Sequence, residues 1–229
     1  MSVVVALAFS TALAVIHWKA DSIRDQGLVD RRKLEDFAAG VTVSYVFIEL
    51  LSEINTGTSL LGPAVFGLVL GGFSVLHVAE EYIYATQEDT RSNFRLLHTG
   101  FLTLYYFVIG VALQIVTGSS LRDGILLFLI VALESGISSL AVGELDPEFL
   151  ESAWAKLLIS AAPVAGTALA FATSPGRELY FTVFAPVIGM FFYVAIHDSL
   201  KPDSRGNPIS YVIGVAFFMA TIGLLSLLL

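Results

Sequence analysis

The sequence ILLFLIVALESGISSLAVG, residues 125–143, indicates the class of fold. Its length is close to the roughly 20 apolar residues that a helix needs to cross the hydrocarbon core of a bilayer. Its one charged residue, Glu134, falls near the middle, close to Ser135 and Ser138. Ionisable groups at that depth are costly and usually face a bundle interior or a water-filled path. The stretch therefore predicts a membrane-spanning helix with a functional carboxylate near the midplane.

The same apolar character extends along the whole chain. Hydrophobic residues make up 56% and charged residues 14% of its 229 positions, and the mean hydropathy is +0.81. So much apolar surface does not fit inside a soluble core, and we predict an all-α, polytopic membrane helix bundle forming a single transmembrane domain, residues 1–229. A seven-span bundle lacking the first run is the alternative to about eight spans, which we place at 3–18, 34–51, 60–84, 96–117, 121–143, 153–171, 178–198 and 209–229.

Small residues and prolines predict where the spans end and how they pack. Turn chemistry is concentrated at Asn55-Thr56-Gly57, Gly118-Ser119-Ser120 and Ser174-Pro175-Gly176, which we interpret as breaks between spans. Gly67 and Gly71 have the small-xxx-small spacing that lets membrane helices approach closely, which predicts a packing face. Mid-span prolines either kink a helix or free a carbonyl for a cation, and both readings apply to Pro163 and Pro186.

The distribution of basic residues predicts the orientation. Most Lys and Arg residues fall in alternate loops, after spans one, three, five and seven: Lys19, Arg24, Arg31, Arg32, Lys33, Arg91, Arg95, Lys156, Lys201 and Arg205. Only Arg122 and Arg177 belong to the opposite side. Because short cytoplasmic loops are enriched in Lys and Arg, we predict that both termini lie outside a multi-pass protein of the cytoplasmic (plasma) membrane. The first run lacks the basic start and the cleavage site of a signal peptide, so we expect it to be a mature helix.

Composition also limits the chemistry and the partners. The chain has no cysteine, so a metal would have to be held by imidazole, carboxylate, amide or hydroxyl groups. A net charge of −8 with scattered basic residues argues against a nucleic-acid partner. The partners that we expect are the lipid bilayer and a metal ion, and the sequence leaves a homodimer open.

A second group of ionisable residues closes the third span. His77, Glu80 and Glu81 have the i, i+3 and i+4 spacing that places side chains on one face of a helix. They could hold a cation or a proton, or they could mark the hydrated end of the helix. With span three running inwards, we interpret them as an inner vestibule close to the cytoplasmic face, with His98 across the short loop.

Two stretches carry a resemblance to a known family. One is Ala38-Ala39-Gly40 with Glu49-Leu50-Leu51-Ser52-Glu53, and the other is Gly189-Met190-Phe191-Phe192-Tyr193-Val194-Ala195. They resemble the second and the penultimate helix of the ZIP (Zrt/Irt-like) divalent-metal transporters, in which the second helix begins with Ala-Ala-Gly and closes on His-Leu-Leu-Pro-Glu. The resemblance implies eight spans, termini outside, no enzymatic or catalytic residues, and a divalent metal ion, zinc or similar, as the substrate.

The resemblance also supplies a set of metal ligands, with departures from the family pattern. Where the family's fourth helix carries His and Glu ligands, one register places Phe101 and Tyr105, and a register shifted by one turn places His98 on the His. In the fifth helix the match places Glu134 and Ser138 on the two ligand positions. The complete set of predicted metal-site residues is Glu134, His98, Ser138, Glu49, His77, Glu80 and Glu81.

Three functions are consistent with these patterns. The first is a ZIP-like permease for a divalent cation, or for a cation coupled to a proton. The second is a transport-inactive ZIP-like protein with a binding, sensing or assembly role, whose polar groups satisfy one another across helices. The third is an intramembrane metalloenzyme, since Glu80-Glu81 is similar to the Glu-Glu-x-x-x-Arg motif of CAAX-protease-like proteins, although Ala85 replaces the arginine.

Overall fold

The structure is a computed structural model that describes residues 2–24, 31–85, 91–145, 153–199 and 207–229. Within these ranges the regular secondary structure is entirely helical, as predicted. We number the α-helices in chain order, with a π-helical turn, Val46–Leu50, joining the second to the third: α1 Ser2–Arg24, α2 Arg31–Tyr45, α3 Leu51–Leu61, α4 Ala64–Ala85, α5 Arg91–Ser119, α6 Leu121–Leu145, α7 Ala153–Thr173, α8 Arg177–Ser199 and α9 Pro208–Leu228.

Six stretches of helix in the described residues are long and apolar enough to cross a membrane. They correspond to α1, to α2 continued through α3, and to α5, α7, α8 and α9. The apolar part of α4, Ala64–Ala79, is shorter. The fold is therefore that of a helical membrane protein. This agrees with the class of fold that the composition predicts. The predicted number of eight spans is a finer statement and stays a prediction.

The helices form two compact units, each built from segments that are distant in sequence. Unit 1 comprises Met1–Gln26 and Val78–Pro175, and unit 2 comprises Gly27–His77 and Gly176–Leu229. The boundary falls within α4, between His77 and Val78. In unit 1, α1 packs on α5, α6 and α7, and in unit 2, α2 packs on α8 and α9.

Two predicted breaks are confirmed and one is wrong. α5 ends at Ser119 and α7 ends at Thr173, as the turn residues indicated. Asn55-Thr56-Gly57, by contrast, lies inside α3, where the Thr56 hydroxyl donates to the Ser52 carbonyl one turn earlier. The helix ends instead at Leu61, before Gly62, whose positive φ of 60° is one that glycine adopts readily, and Pro63 follows.

In unit 1, α5 and α7 cross at a pair of glycines. A Cβ on Gly110 would overlap the Pro163 carbonyl oxygen, and a Cβ on Gly166 would overlap the Phe107 carbonyl oxygen. Each glycine thus faces the carbonyl three residues before the glycine of the other helix. Such close approach replaces side-chain packing by backbone contact, including Cα–H···O contacts, and is typical of small-residue crossings in membranes. Pro163 therefore contributes its carbonyl to helix packing.

Unit 2 contains the same reciprocal crossing twice. In the first, between α4 and α8, Gly72 faces the Pro186 carbonyl and Gly189 faces the Val69 carbonyl. In the second, between α2 and α9, Gly40 faces the Tyr211 carbonyl and Gly214 faces that of Phe37.

The glycines that were predicted to pack, Gly67 and Gly71, do not do so. A Cβ on either would meet no heavy atom within 4 Å among the described residues. The contact instead belongs to Gly72, which is turned by one residue, or about 100°, from Gly71 around the helix. The small-xxx-small spacing therefore pointed to the right helix and to the wrong face.

Candidate polar site in unit 1

Glu134 and Ser135 lie on α6, in the interior-facing part of an otherwise apolar helix. Ser135 is fully buried and Glu134 is half-buried. The residues one and two turns earlier, Val131 and Leu127, are buried aliphatic side chains. This face of α6 therefore points inwards, and it brings two oxygen-bearing side chains into an apolar environment where each needs a partner.

The partner of Ser135 is a tyrosine on α5. The Ser135 hydroxyl donates to the Tyr106 hydroxyl at 3.2 Å, and Tyr106 is 4% exposed. Glu134 is close enough to Tyr106 to interact with it electrostatically. One tyrosine thus connects the two polar residues of α6 to α5. Tyr105, which occupies a family ligand position in one register, packs edge to face on Tyr106 at 5.0 Å between ring centroids.

A histidine on α1 completes this group. The His17 ring packs edge to face on the Tyr106 ring, with 4.0 Å between their centroids. Its Nε2 atom is buried and has no hydrogen-bond partner among the described residues. We call His17, Tyr106, Glu134 and Ser135 the polar cluster of unit 1, to which α1, α5 and α6 each contribute.

A separate chain of hydroxyl groups ties α1 to the crossing of α5 and α7. Ser10 and Thr167 are fully buried, and their hydroxyl oxygens lie 2.5 Å apart. Each hydroxyl also has a backbone acceptor at 2.9 Å, the Ala6 carbonyl for Ser10 and the Gly110 carbonyl for Thr167, so either hydroxyl can donate to the other. The glycine crossing and this hydroxyl chain together fix three helices of unit 1 around the polar cluster.

The remaining predicted site residues are spread over the chain. Glu49 is half-buried in the π-helical turn of unit 2, a type of turn that often occurs at functional sites. His77 is exposed and lies 3.5 Å from the Tyr193 hydroxyl, also in unit 2, and Glu81 is exposed in unit 1. The side chains of Glu80, His98 and Ser138 lie outside the described residues.

The described positions test only part of the predicted metal site. Among the residues whose side chains the structure describes, no three His, Asp or Glu side chains converge in a way that could hold a metal ion. Glu134 has an interaction partner, and the polar groups near it include the Tyr106 and Ser135 hydroxyls. The described part of the site therefore offers oxygen ligands, with His17 as the nearby nitrogen.

Fold and site together define a helical membrane protein with a buried polar cluster in one of its two units. No family model matches the chain, and no curated protein matches it.

Two members of the polar cluster, His17 and Tyr106, were not among the predicted site residues. His17 lies beside Trp18 and Lys19 at the end of the predicted span 3–18, and the family register places Tyr105, the neighbour of Tyr106, on a ligand position. A helical-face analysis of the first span carries the missing signal. Ser10, Leu13 and His17 recur at i, i+3 and i+7 on one face, and that face is the buried one.

Proposed function

We propose that this protein is a ZIP-like membrane permease that moves a divalent cation, or a cation coupled to a proton, across the cytoplasmic membrane. Its eight spans would place both termini outside. The permease class rests mainly on one observation, the glycine–carbonyl crossing that occurs three times in the fold. Many transporters are built from internal structural repeats, with substrate sites near the midplane at the repeat interface.

The repeat is also present in the sequence. Ala162–Gly166 reads Ala-Pro-Val-Ala-Gly in α7, and Ala185–Gly189 reads Ala-Pro-Val-Ile-Gly in α8. Likewise Val-Ile-Gly-Val-Ala occurs at residues 108–112 in α5 and at 212–216 in α9. Each of the four segments contains a glycine of a crossing. Four of five residues are the same in the first pair and all five in the second. Because packing alone requires only small residues, this agreement favours descent from one repeated element.

The eight-span topology gives these crossings a consistent direction. Counting α2 with α3 as one span, the paired helices are spans four and six, three and seven, and two and eight. Both members of each pair therefore run in the same direction. Within unit 2, one pair would run inwards and the other outwards, which is the relation between inverted repeats in transporters.

Glu134 is the group that we propose to bind the cation. A carboxylate retained at membrane depth needs a counter-charge or a proton, and a passing cation would supply the counter-charge. Oxygen ligands from Ser135 and Ser138, with water, suit a loosely held divalent ion, and His98 would add the nitrogen that zinc prefers. Transport by this mechanism would require one group of helices to rock against another.

The test is uptake by the purified protein in proteoliposomes that contain a fluorescent indicator. With an inward gradient of Zn²⁺ or Mn²⁺, we expect uptake well above that of protein-free liposomes, saturating with cation concentration. A rate equal to that of protein-free liposomes for all the divalent cations tested would contradict the proposal.

One observation favours the alternative function, a transport-inactive protein that binds, senses or assembles. It is the absence of three converging His, Asp or Glu ligands among the described side chains. In that case titration calorimetry would detect cation binding that requires Glu134, while the proteoliposomes would show no flux. The two functions therefore differ in flux and agree in binding.

A further inference from the structure

We infer that one face of α5 lines a hydrated path inside unit 1, which leads from the turn between α5 and α6 to the Tyr106 hydroxyl. We call this the polar face of α5, and it consists of Thr99, Thr103, Tyr106, Gly110, Gln114 and Thr117. The ligand of the path is water. The inference goes beyond the proposed function, because water in the path can be measured in a protein that moves no cation.

The first argument is that these residues share one side of the helix, and that this side is turned away from the lipid. Successive members are three or four residues apart, so all six fall within about 80° around the helix axis. Tyr106 and Thr117 are each 4% exposed, whereas Leu104, on the far side of the helix, is 62% exposed. Polar residues of a membrane helix that face the bundle interior are costly there, and they commonly line a water-filled region.

The second argument is that two neighbouring groups of this face are buried without a hydrogen-bond partner. The Gln114 Oε1 atom and the Thr117 hydroxyl oxygen have none among the described residues. The Thr117 hydroxyl lies against the first turn of α6, where a Cβ on Gly124 would overlap it. Buried polar atoms are normally hydrogen-bonded to protein or to ordered water, so these two oxygens indicate water at this end of the path.

The third argument is the distance between successive polar groups, which suits bridging by single water molecules. Along the axis of α5, the steps between Tyr106, Gly110, Gln114 and Thr117 are about 4.5–6 Å. Two hydrogen bonds of about 2.8 Å in series cover nearly the same distance. Beside Gly110 the polar surface continues in the Thr167 hydroxyl, which donates to the Gly110 carbonyl. A single file of water molecules therefore fits the spacing from Thr117 to Tyr106.

The fourth argument is the small size of the side chain that α1 places at the level of Gln114. Ser10 is linked through Thr167 to Gly110, and His17 packs on the Tyr106 ring, so α1 runs antiparallel to α5.

One turn before Ser10, on the same face of α1, is the fully buried Ala6, which therefore lies level with Gln114. An alanine leaves more room beside the amide than Leu13, which occupies the next turn of this face.

The first test uses the absence of cysteine from the chain. The variants are Gln114→Cys and Thr117→Cys in the path, with Ala112→Cys and Leu104→Cys as controls on the same helix. Ala112 is 1% exposed and only two residues from Gln114, and Leu104 faces the lipid. Each purified variant in nanodiscs is treated with Ag⁺, which is small enough to follow water into a narrow path. The remaining thiols are then measured with a fluorescent maleimide in denaturant.

The expected result follows from the chemistry of the thiol. A thiol reacts as the thiolate, which forms readily only in contact with water. We expect Gln114→Cys and Thr117→Cys to react at least about tenfold faster than Ala112→Cys and Leu104→Cys. Gln114→Cys is the more informative of the two, because Gln114 lies one turn deeper in the bundle.

The second test leaves the chain unchanged. X-ray radiolysis of water produces hydroxyl radicals, which oxidise an aromatic ring beside the water molecule from which they form. Tyr106 is 4% exposed and Tyr45, the control in unit 2, is 5% exposed and packs edge to face on Phe191 and Phe218. We expect mass spectrometry to show Tyr106 oxidised several-fold faster than Tyr45. Gln114→Leu, which places an apolar side chain of similar size in the path, should slow the oxidation of Tyr106.

Two results would overturn the inference. One is a reaction of Gln114→Cys with Ag⁺ that is no faster than that of Ala112→Cys, and the other is equal oxidation of Tyr106 and Tyr45. Either would mean that the interior of unit 1 is dry. The outcome is separate from that of the proposed function. A hydrated path in a protein without flux contradicts only the permease, and cation flux by a protein with a dry unit 1 contradicts only the path.

Discussion

Replacing Glu134 by glutamine is expected to abolish cation uptake in proteoliposomes. Glutamine has nearly the same size and keeps one oxygen, so the packing of α6 should be preserved. What is lost is the negative charge that offsets a cation in an apolar environment. Hydrogen bonds to charged groups contribute about 1.5–3 kcal/mol. We therefore expect the uptake rate at a subsaturating cation concentration to fall by about 10-fold to 100-fold or more.

The matched control is Glu178→Gln. Glu178 is an exposed residue in the first turn of α8, and its substitution removes the same charge without touching the polar cluster. Its uptake should equal that of the wild type. If Glu134→Gln folds normally and transports at the wild-type rate, Glu134 is not the cation ligand.

The substitution Gly72→Ala is expected to have the largest effect on stability, and its neighbour provides the control. A Cβ on Gly72 would overlap the Pro186 backbone carbonyl, which cannot move without shifting α8. A Cβ on Gly71 meets no heavy atom within 4 Å among the described residues. Overpacking of this kind costs about 1–3 kcal/mol, sometimes more. Alanine also stabilises a helix by up to about 1 kcal/mol relative to glycine.

The two variants should therefore differ in sign. Thermal unfolding in detergent, followed by loss of the monodisperse peak, should show a lower midpoint for Gly72→Ala and an equal or higher midpoint for Gly71→Ala. Gly189→Ala, on the other side of the same crossing, should resemble Gly72→Ala. Equal midpoints for Gly71→Ala and Gly72→Ala would mean that α4 and α8 do not cross at this glycine.

The sequence predicted the helical class and several helix ends because both depend on local properties. Apolar length predicts a membrane helix, and residues such as Ser174-Pro175-Gly176 cannot continue one. Asn55-Thr56-Gly57 looked equivalent. In the structure, however, the hydroxyls of Thr56 and Thr58 donate to carbonyls within α3, so these residues are compatible with a helix. The nearby Gly62-Pro63 pair was the stronger signal.

The polar cluster could be predicted only in part because its members come from three helices. Glu134 stands out by itself as a charge within an apolar run. Ser135 was noted as its neighbour, but the direction of its hydroxyl depends on Tyr106, 29 positions earlier in the chain. His17 lies close to a span end in sequence, and its burial follows from the packing of α1 on α5, α6 and α7. Such partnerships arise from tertiary packing and leave no local pattern.

The glycine crossings also depend on tertiary packing, so local sequence does not predict them. Six glycines and the carbonyls that face them form three equivalent contacts, although their sequence separations range from 56 to 174 residues. Spacing within one helix, such as that of Gly67 and Gly71, identifies small residues without identifying the helix they meet. The repeated segments do not identify that helix either, because Val-Ile-Gly-Val-Ala crosses α7 where it occurs in α5 and crosses α2 where it occurs in α9.

The most direct measurement of the permease proposal is counterflow. Proteoliposomes loaded with a high concentration of unlabelled divalent cation are diluted into a trace of the radioactive cation. A carrier with alternating access exchanges one for the other, so we predict that the label accumulates transiently above its external concentration and that Glu134→Gln shows no accumulation. Accumulation no greater than in protein-free liposomes, by a folded protein, would contradict the account.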